Sequence, residues 1–273
     1  MFILMLLAGV IAGLLAGLLG LGGGILFTPV FFYLFTQQQM DETVLWAVGT
    51  SLFCTFIAAI SSVIRQRQQH NFFPVEGVRL GLLGAIGVYG GRLVLTSSYY
   101  NEQEFVIFFC LILCYVSYRF LKHGKKDSTH YTGMNGDTDA EMTISKASVT
   151  GLAGGFVASL AGIGGGGVMV PIMNLGYGIS MKRTVSISST AIVLISLSGW
   201  VQMSLLITAE PSISSYSIGY VDFGTALPLV IGAVLGGFGG AWLSTYLTRR
   251  TLQWLFSVLA LVIAAKLIIE TFF

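Results

Sequence analysis

Long apolar stretches alternate with short polar breaks along this chain. The stretches fall at roughly 2–35, 44–64, 74–96, 105–121, 147–178, 184–208, 223–247 and 252–272. A membrane-spanning helix needs about 20 apolar residues, so the pattern predicts a polytopic bundle of membrane helices. The first and fifth stretches exceed one span. An uncharged run of 40 residues opens the chain, and one of 35 covers 147–181. Each carries a glycine cluster near its middle. Glycine costs about 1 kcal/mol per residue relative to alanine in a helix, so several together predict a break.

The two breaks match each other. Residues 20–29 read GLGGGILFTP and residues 162–171 read GIGGGGVMVP. Gly20, Gly22, Gly23, Gly24 and Pro29 fall on Gly162, Gly164, Gly165, Gly166 and Pro171 at one offset. Later pieces echo as well: AVGTSL (47–52) with SISSTAI (186–192), and GVYGG (87–91) with GGFGG (236–240). The longest polar stretch, 122–145, lies between the copies. The expected organisation is therefore a first repeat over 1–121, a flexible cytoplasmic linker over 122–145, and a second repeat over 146–273. The fold class expected is all-α, with two repeats that each hold a glycine-broken hairpin plus three transmembrane helices.

Charge placement sets the path. Arg65, Arg67, His70, Arg119, Lys122, Lys125, Lys126, Lys146, Lys182, Arg183, Arg249 and Arg250 occupy some connections. Only Asp41, Glu42, Glu102, Glu104, Glu210 and Asp222 occupy the others. Basic loops face the cytoplasm. All basic loops reach one side only if each glycine segment enters and leaves on the same side, as a re-entrant hairpin or as two short crossings. The first repeat then begins outside and the second inside, so the repeats are inverted.

Broken backbone at membrane depth survives where it is buried in protein or lines a cavity. The returning arms, 24–35 and 166–177, would start at the glycine tips, with first-turn N–H groups aimed at the midplane. Such helix starts attract anions, and glycine lets a ligand approach the backbone. Gly22, Gly23 and Gly24 with Gly164, Gly165, Gly166 and Gly167 are thus the expected anion cradle. Thr50, Ser51, Ser189 and Thr190 would add neutral hydroxyl donors, with Ser188, Asn174 and Gln202 as lesser candidates. Bonding back to their own helices is the alternative for the hydroxyls. Pro29 and Pro171 predict a kink in each arm or a freed carbonyl for a cation. Arg92 would draw anions into an outer vestibule, or would snorkel like Arg79. Lys266 and Glu270 form an i, i+4 pair on the last segment.

Composition removes other classes. The chain is 55% hydrophobic and 10% charged, against about 25% charged in soluble domains. No Asp, Glu or His lies deep in an apolar stretch, which disfavours a buried proton relay and a membrane hydrolase. No metal or cofactor is expected, and no nucleic acid. Cys54, Cys110 and Cys114 lie in apolar stretches and read as small buried hydrophobes. The partners expected are the bilayer, a small anion, a coupling ion (H+ or Na+) and, through glycine stripes such as Gly9–Gly13–Gly17 and Gly232–Gly236–Gly240, close helix packing or a homodimer.

At the paired GLGGGxxxxP-like motifs, the GTS-like helix start and the glycine-rich third and seventh segments, the chain resembles the TauE/SafE (TSUP) family of sulfite exporters. The resemblance implies a bacterial or archaeal inner-membrane carrier of sulfite, sulfoacetate or another organosulfonate, in a family that also includes importers. The second copy has SST in place of GTS, so the family's hydroxyl roles pass to Thr190 before Ser188 or Ser189. An anion channel, a carrier of a carboxylate or thiosulfate, and a non-transporting membrane scaffold are the competing readings.

Overall fold

The computed structural model describes residues 2–19, 24–68, 70, 72–97, 99–123, 142–208, 213–243 and 249–272. Helices dominate, as the apolar pattern predicts. The first glycine segment gives α1 (Phe2–Leu19) and α2 (Gly24–Gln37); then come α3 (Thr43–Gln68), α4 (Pro74–Leu95) and α5 (Glu102–His123). The second glycine segment gives α6 (Ile144–Ala161), α7 (Gly166–Pro171) and a π-helical turn, Ile172–Gly176; then come α8 (Met181–Ser204), α9 (Phe223–Leu243) and α10 (Arg249–Phe272). The two-residue strands β1 (Ser217–Ile218) and β2 (Val221–Asp222) pair antiparallel before α9, a feature the apolar pattern does not carry. α3, α4, α6 and the Arg183–Ser204 part of α8 are long and apolar enough to cross a membrane.

Helix pairing follows an exchange of halves. α1 packs along α9, and α6 packs along α4; α3 packs on α8, and α5 on α10. Small residues make the first two pairs close. A Cβ at Gly9 or Gly13 would run into the backbone of Leu229 or Ala233, and one at Gly87 or Gly155 into that of Leu152 or Gly84. The glycine stripes on α1 and α9 therefore face each other within one protomer.

The registers fix direction. Gly9 meets Leu229 and Gly13 meets Ala233, so α1 and α9 run parallel. Gly84 meets Gly151 and Gly91 meets Phe156, so α4 and α6 also run parallel. Along α3 and α8 the order reverses: Gly49 lies by Met203, and Ser62 bonds Ser189 at 3.1 Å. The two halves thus start from opposite ends of the bundle. Glu42, Glu104 and Asp222 sit at the end where α3 and α9 begin. Arg65, Arg67, Lys146 and Arg183 sit at the other.

Charged side chains help tie each end. Arg183 Nε donates to Glu76 Oε2 at 3.2 Å, and its Nη2 to Oε1 at 2.5 Å; this joins the starts of α4 and α8. At the opposite end the Tyr220 hydroxyl donates to Glu42, joining the connection before α9 to the start of α3. Burial and the Glu42 carboxylate push the Tyr220 phenol up to about 12.

Lipid-facing side chains are apolar. Leu7, Ile11, Leu82, Ile86, Leu111, Ile231, Leu261 and Ile269 are all exposed on helix surfaces. The interior holds Phe27, Phe31, Phe35, Trp46 and Phe105, with tilted or edge contacts such as Trp46–Tyr220 at 5.4 Å.

Candidate functional site: the glycine junction

The second glycine cluster is a buried turn. Gly162 closes α6 in the left-handed conformation (φ +69°), and Gly164 and Gly165 follow at +70° and +78°. Three positive φ values in four residues require glycine. Beyond the turn the chain folds back along α6. Gly154 lies against Met169, Thr150 Oγ1 bonds Tyr177 Oη at 3.4 Å, and Lys146 Nζ sits 5.4 Å from the Tyr177 ring centre. The segment is a hairpin that returns to the end where α6 began.

Pro171 marks the change from α to π winding in the returning arm. Its missing N–H removes the bond that Gly167's carbonyl would accept, and the ladder continues at wider spacing. Pro29 lies inside α2, which stays helical through it and leaves the Ile25 carbonyl without that donor.

The tips of the two segments meet. A Cβ built on Gly24 would stand 2.6 Å from Ile163 O and 2.8 Å from Thr55 Oγ1. One built on Gly164 would stand 2.7 Å from Thr55 Cγ2 and 2.9 Å from Ile192 Cγ2. Thr55 is twelve residues into α3 and Ile192 eleven into α8, about 16–18 Å from either helix start at 1.5 Å per residue. The junction therefore lies halfway along both central helices. Gly22 and Gly23 lie outside the described residues; Gly24, the first residue of α2, carries the first tip's contact.

Hydroxyls on α2 and α3 brace the second turn. Thr28 Oγ1 donates to Ser51 Oγ at 3.0 Å, and Ser51 Oγ donates to Gly162 O at 3.1 Å or to Val48 O at 3.0 Å. Thr50 Oγ1 accepts from Asp222 N at 3.1 Å, so it anchors the start of α9. On α8, Ser188 and Ser189 bond back to Val185 O, and Thr190 to Ser186 O at 3.2 Å. Asn174 Nδ2 bonds Ile179 O at 2.9 Å and ties the loop after the π turn. Gln202 Nε2 bonds Ser198 Oγ at 2.8 Å, far along α8 from the junction. Gly166 and Gly167 begin α7 and are buried.

Arg92 lies in the last turn of α4, with its guanidinium 5.2 Å from the Tyr89 ring centre. It is far from the junction, at the acidic end of the bundle. Arg79 is exposed on the same helix. Lys266 Nζ stacks 3.6 Å from the Tyr33 ring centre; the Glu270 side chain lies outside the described residues. The Cys54 and Cys110 thiols are buried against the carbonyls of Ala226 and Ala264, and Cys114 is exposed.

Sequence reasoning missed several polar anchors. Asp222 is fully buried; its Oδ1 accepts from Gly224 N at 2.9 Å and Thr225 N at 3.2 Å, capping α9. An Asp directly before an apolar helix is a legible capping signal. Ser186 Oγ accepts from Phe73 N at 3.2 Å, so it anchors the start of α4 as Thr50 anchors that of α9. Thr28 and Thr55 are the other omissions.

Comparison with known proteins agrees along nearly the whole chain. Residues 5–267 match the model of the family described as "Sulfite exporter TauE/SafE". The chain is 29% identical to the "Probable membrane transporter protein YunE" of Bacillus subtilis, over 100% of this chain and 99% of that protein. It is 30% identical to a "Probable membrane transporter protein" of Haemophilus influenzae, over 98% of each. Identity to a similarly titled protein of Methanocaldococcus jannaschii is 29%, over 85% of this chain and 84% of that one. No solved structure matches.

Proposed function

Because this chain belongs to the TauE/SafE family of sulfite exporters, a family of membrane transporters, we propose that it moves a small sulfur oxyanion or organosulfonate across the inner membrane by alternating access. The observation that carries this reading is the meeting of Gly24 with the Gly162–Gly165 turn, halfway along α3 and α8. The first-turn N–H groups of α2 have no acceptors within that helix, and the residues at the junction carry no charge. Backbone amides at the start of a helix hold an anion without lysine or arginine. Gly164 and Gly165 let the second tip pack closely on α3, α8 and α6 beside that point.

The two repeats, 1–121 and 146–273 around the 122–145 linker, are the moving parts. Parallel packing of α1 on α9 and of α6 on α4, from opposite ends of the bundle, supports an inverted relation between them. Thr50, Ser51, Ser189 and Thr190 are assigned as braces of this core, with Thr50 accepting the Asp222 amide and the other three donating to neighbouring backbone. Rocking about the junction opens one end at a time, and the Glu76–Arg183 and Glu42–Tyr220 contacts are the closures. Arg92 gathers anions at the outer end. Coupling to H+ or Na+ and pairing into a homodimer are compatible with this scheme.

A thermal-shift screen of purified protein against sulfite, thiosulfate, sulfoacetate, taurine and simple carboxylates tests the reading. A specific ligand raises the melting temperature by mass action, and the same anion should show counterflow in liposomes. Stabilisation by carboxylates alone would reassign the substrate. Conductance beyond carrier turnover, without counterflow, would make the protein a channel.

A further inference from the structure

Several threonines in these helices share a habit, though Thr50 on α3 does not. Thr36, Thr96, Thr150 and Thr190 each donate to the carbonyl four residues back, at 2.8 to 3.2 Å. Thr28 faces its own i−4 carbonyl at 3.5 Å and also reaches Ser51. Thr55 breaks the habit. Its side chain is 1% exposed, and its hydroxyl has no hydrogen-bond partner among the described residues. The methyl group faces Gly164 and Ile192, while Oγ1 faces Gly24, the first residue of the fourteen-residue helix α2.

An unpaired buried hydroxyl is costly, at roughly 1–3 kcal/mol. The usual remedy, a bond to the Ser51 carbonyl one turn back, is within reach of any helical threonine and is not taken. What the hydroxyl faces instead is Gly24, where α2 begins. Donors from two sources, a side chain on α3 and the backbone of α2, meet there beside the Ile163 carbonyl.

We infer that Thr55 is the side-chain donor that selects the transported anion, giving its hydrogen bond to an anion oxygen held at the start of α2. The inference rests on the anion site proposed above. It assigns the substrate-facing hydroxyl to a residue one turn beyond the Thr50–Ser51 pair.

The test uses the full-length protein, with sodium sulfite and sodium methanesulfonate as probes. Thr55→Val keeps the shape and removes the hydroxyl. Without ligand, its melting temperature should equal or exceed that of the parent, because an unsatisfied group is gone. With probe, the melting shift should largely vanish and Kd should rise about tenfold or more, as for loss of a hydrogen bond to a charged group. Thr55→Ser should restore the shift. A Thr55→Val protein that binds sulfite like the parent would overturn the inference, and so would one that loses stability without ligand. If Gly165→Val abolishes binding while Thr55→Val does not, the glycine site stands and the role of Thr55 falls. If the parent binds neither probe, the site itself falls and the role of Thr55 with it.

Discussion

α3 and α8 hold corresponding places in the two halves, and both carry runs of hydroxyls. They use them differently. On α3, Ser51 crosses to Gly162 of the second half, Thr50 holds the amide of Asp222, and Thr55 faces Gly24 unpaired. On α8, Ser188 and Thr190 bond back to their own helix, Ser189 does so and also meets Ser62 of α3, and Ser186 takes on an amide from the first half. The tips differ in the matching sense. The second is a buried turn with three left-handed glycines, and what is described of the first is Gly24, the opening residue of α2. A duplicated sequence has thus become an asymmetric centre, in which hydroxyls of α3 meet the backbone of the second glycine turn.

The largest effect should come from the backbone side of this asymmetry. Gly165→Val combines a left-handed φ with overlap of the Gly154 carbonyl. A loss of about 3 kcal/mol or more is expected, together with loss of sulfite stabilisation, read by thermal unfolding in detergent. Ser51→Ala comes next. It leaves the Thr28 hydroxyl only its long bond to Gly24 O and releases Gly162 O, for a cost of about 1–3 kcal/mol and reduced uptake in liposomes. Thr50→Val removes one acceptor from the Asp222 amide. About 1 kcal/mol is expected, with transport retained, because the remaining bonds to Asp222 keep α9 capped. The smallest effect belongs to α8. Thr190→Val gives up an intrahelical bond alone and should stay within about 0.5 kcal/mol, while Ser189→Ala also loses the Ser62 bond and should cost about 1 kcal/mol, both with near-parental uptake. Equal losses at Ser51 and Thr190 would erase the contrast between the two helices.

The sequence carried the elements well, because each rests on local physics. Apolar runs became helices with ends close to the charges, and the glycine run at 162–165 became a turn. The acidic and basic loops fell at opposite ends, because α3, α4 and α8 each cross the full bundle. The partner of each hydroxyl was not legible in the same way. Whether Ser51 reaches Gly162 or its own helix depends on the register of α3 against the second turn, which no local pattern encodes. Thr55 was invisible for the same reason: it sits outside the GTS-like motif, and its position matters only because Gly24 and Gly164 converge there. Asp222 looked like one more outer acid, though its place directly before an apolar run is a capping signal. The π turn after Pro171 depends on how the arm packs against α6, whereas Pro29 in the matching place leaves α2 α-helical.

Anomalous scattering from the protein bound to selenite, a heavy counterpart of sulfite, would locate the anion directly. The account requires the selenium peak at the glycine junction, within hydrogen-bond reach of the first amides of α2 and of Thr55 Oγ1. A sole selenium peak beside Arg92 or Arg183, with none between Gly24 and Gly164, would contradict it.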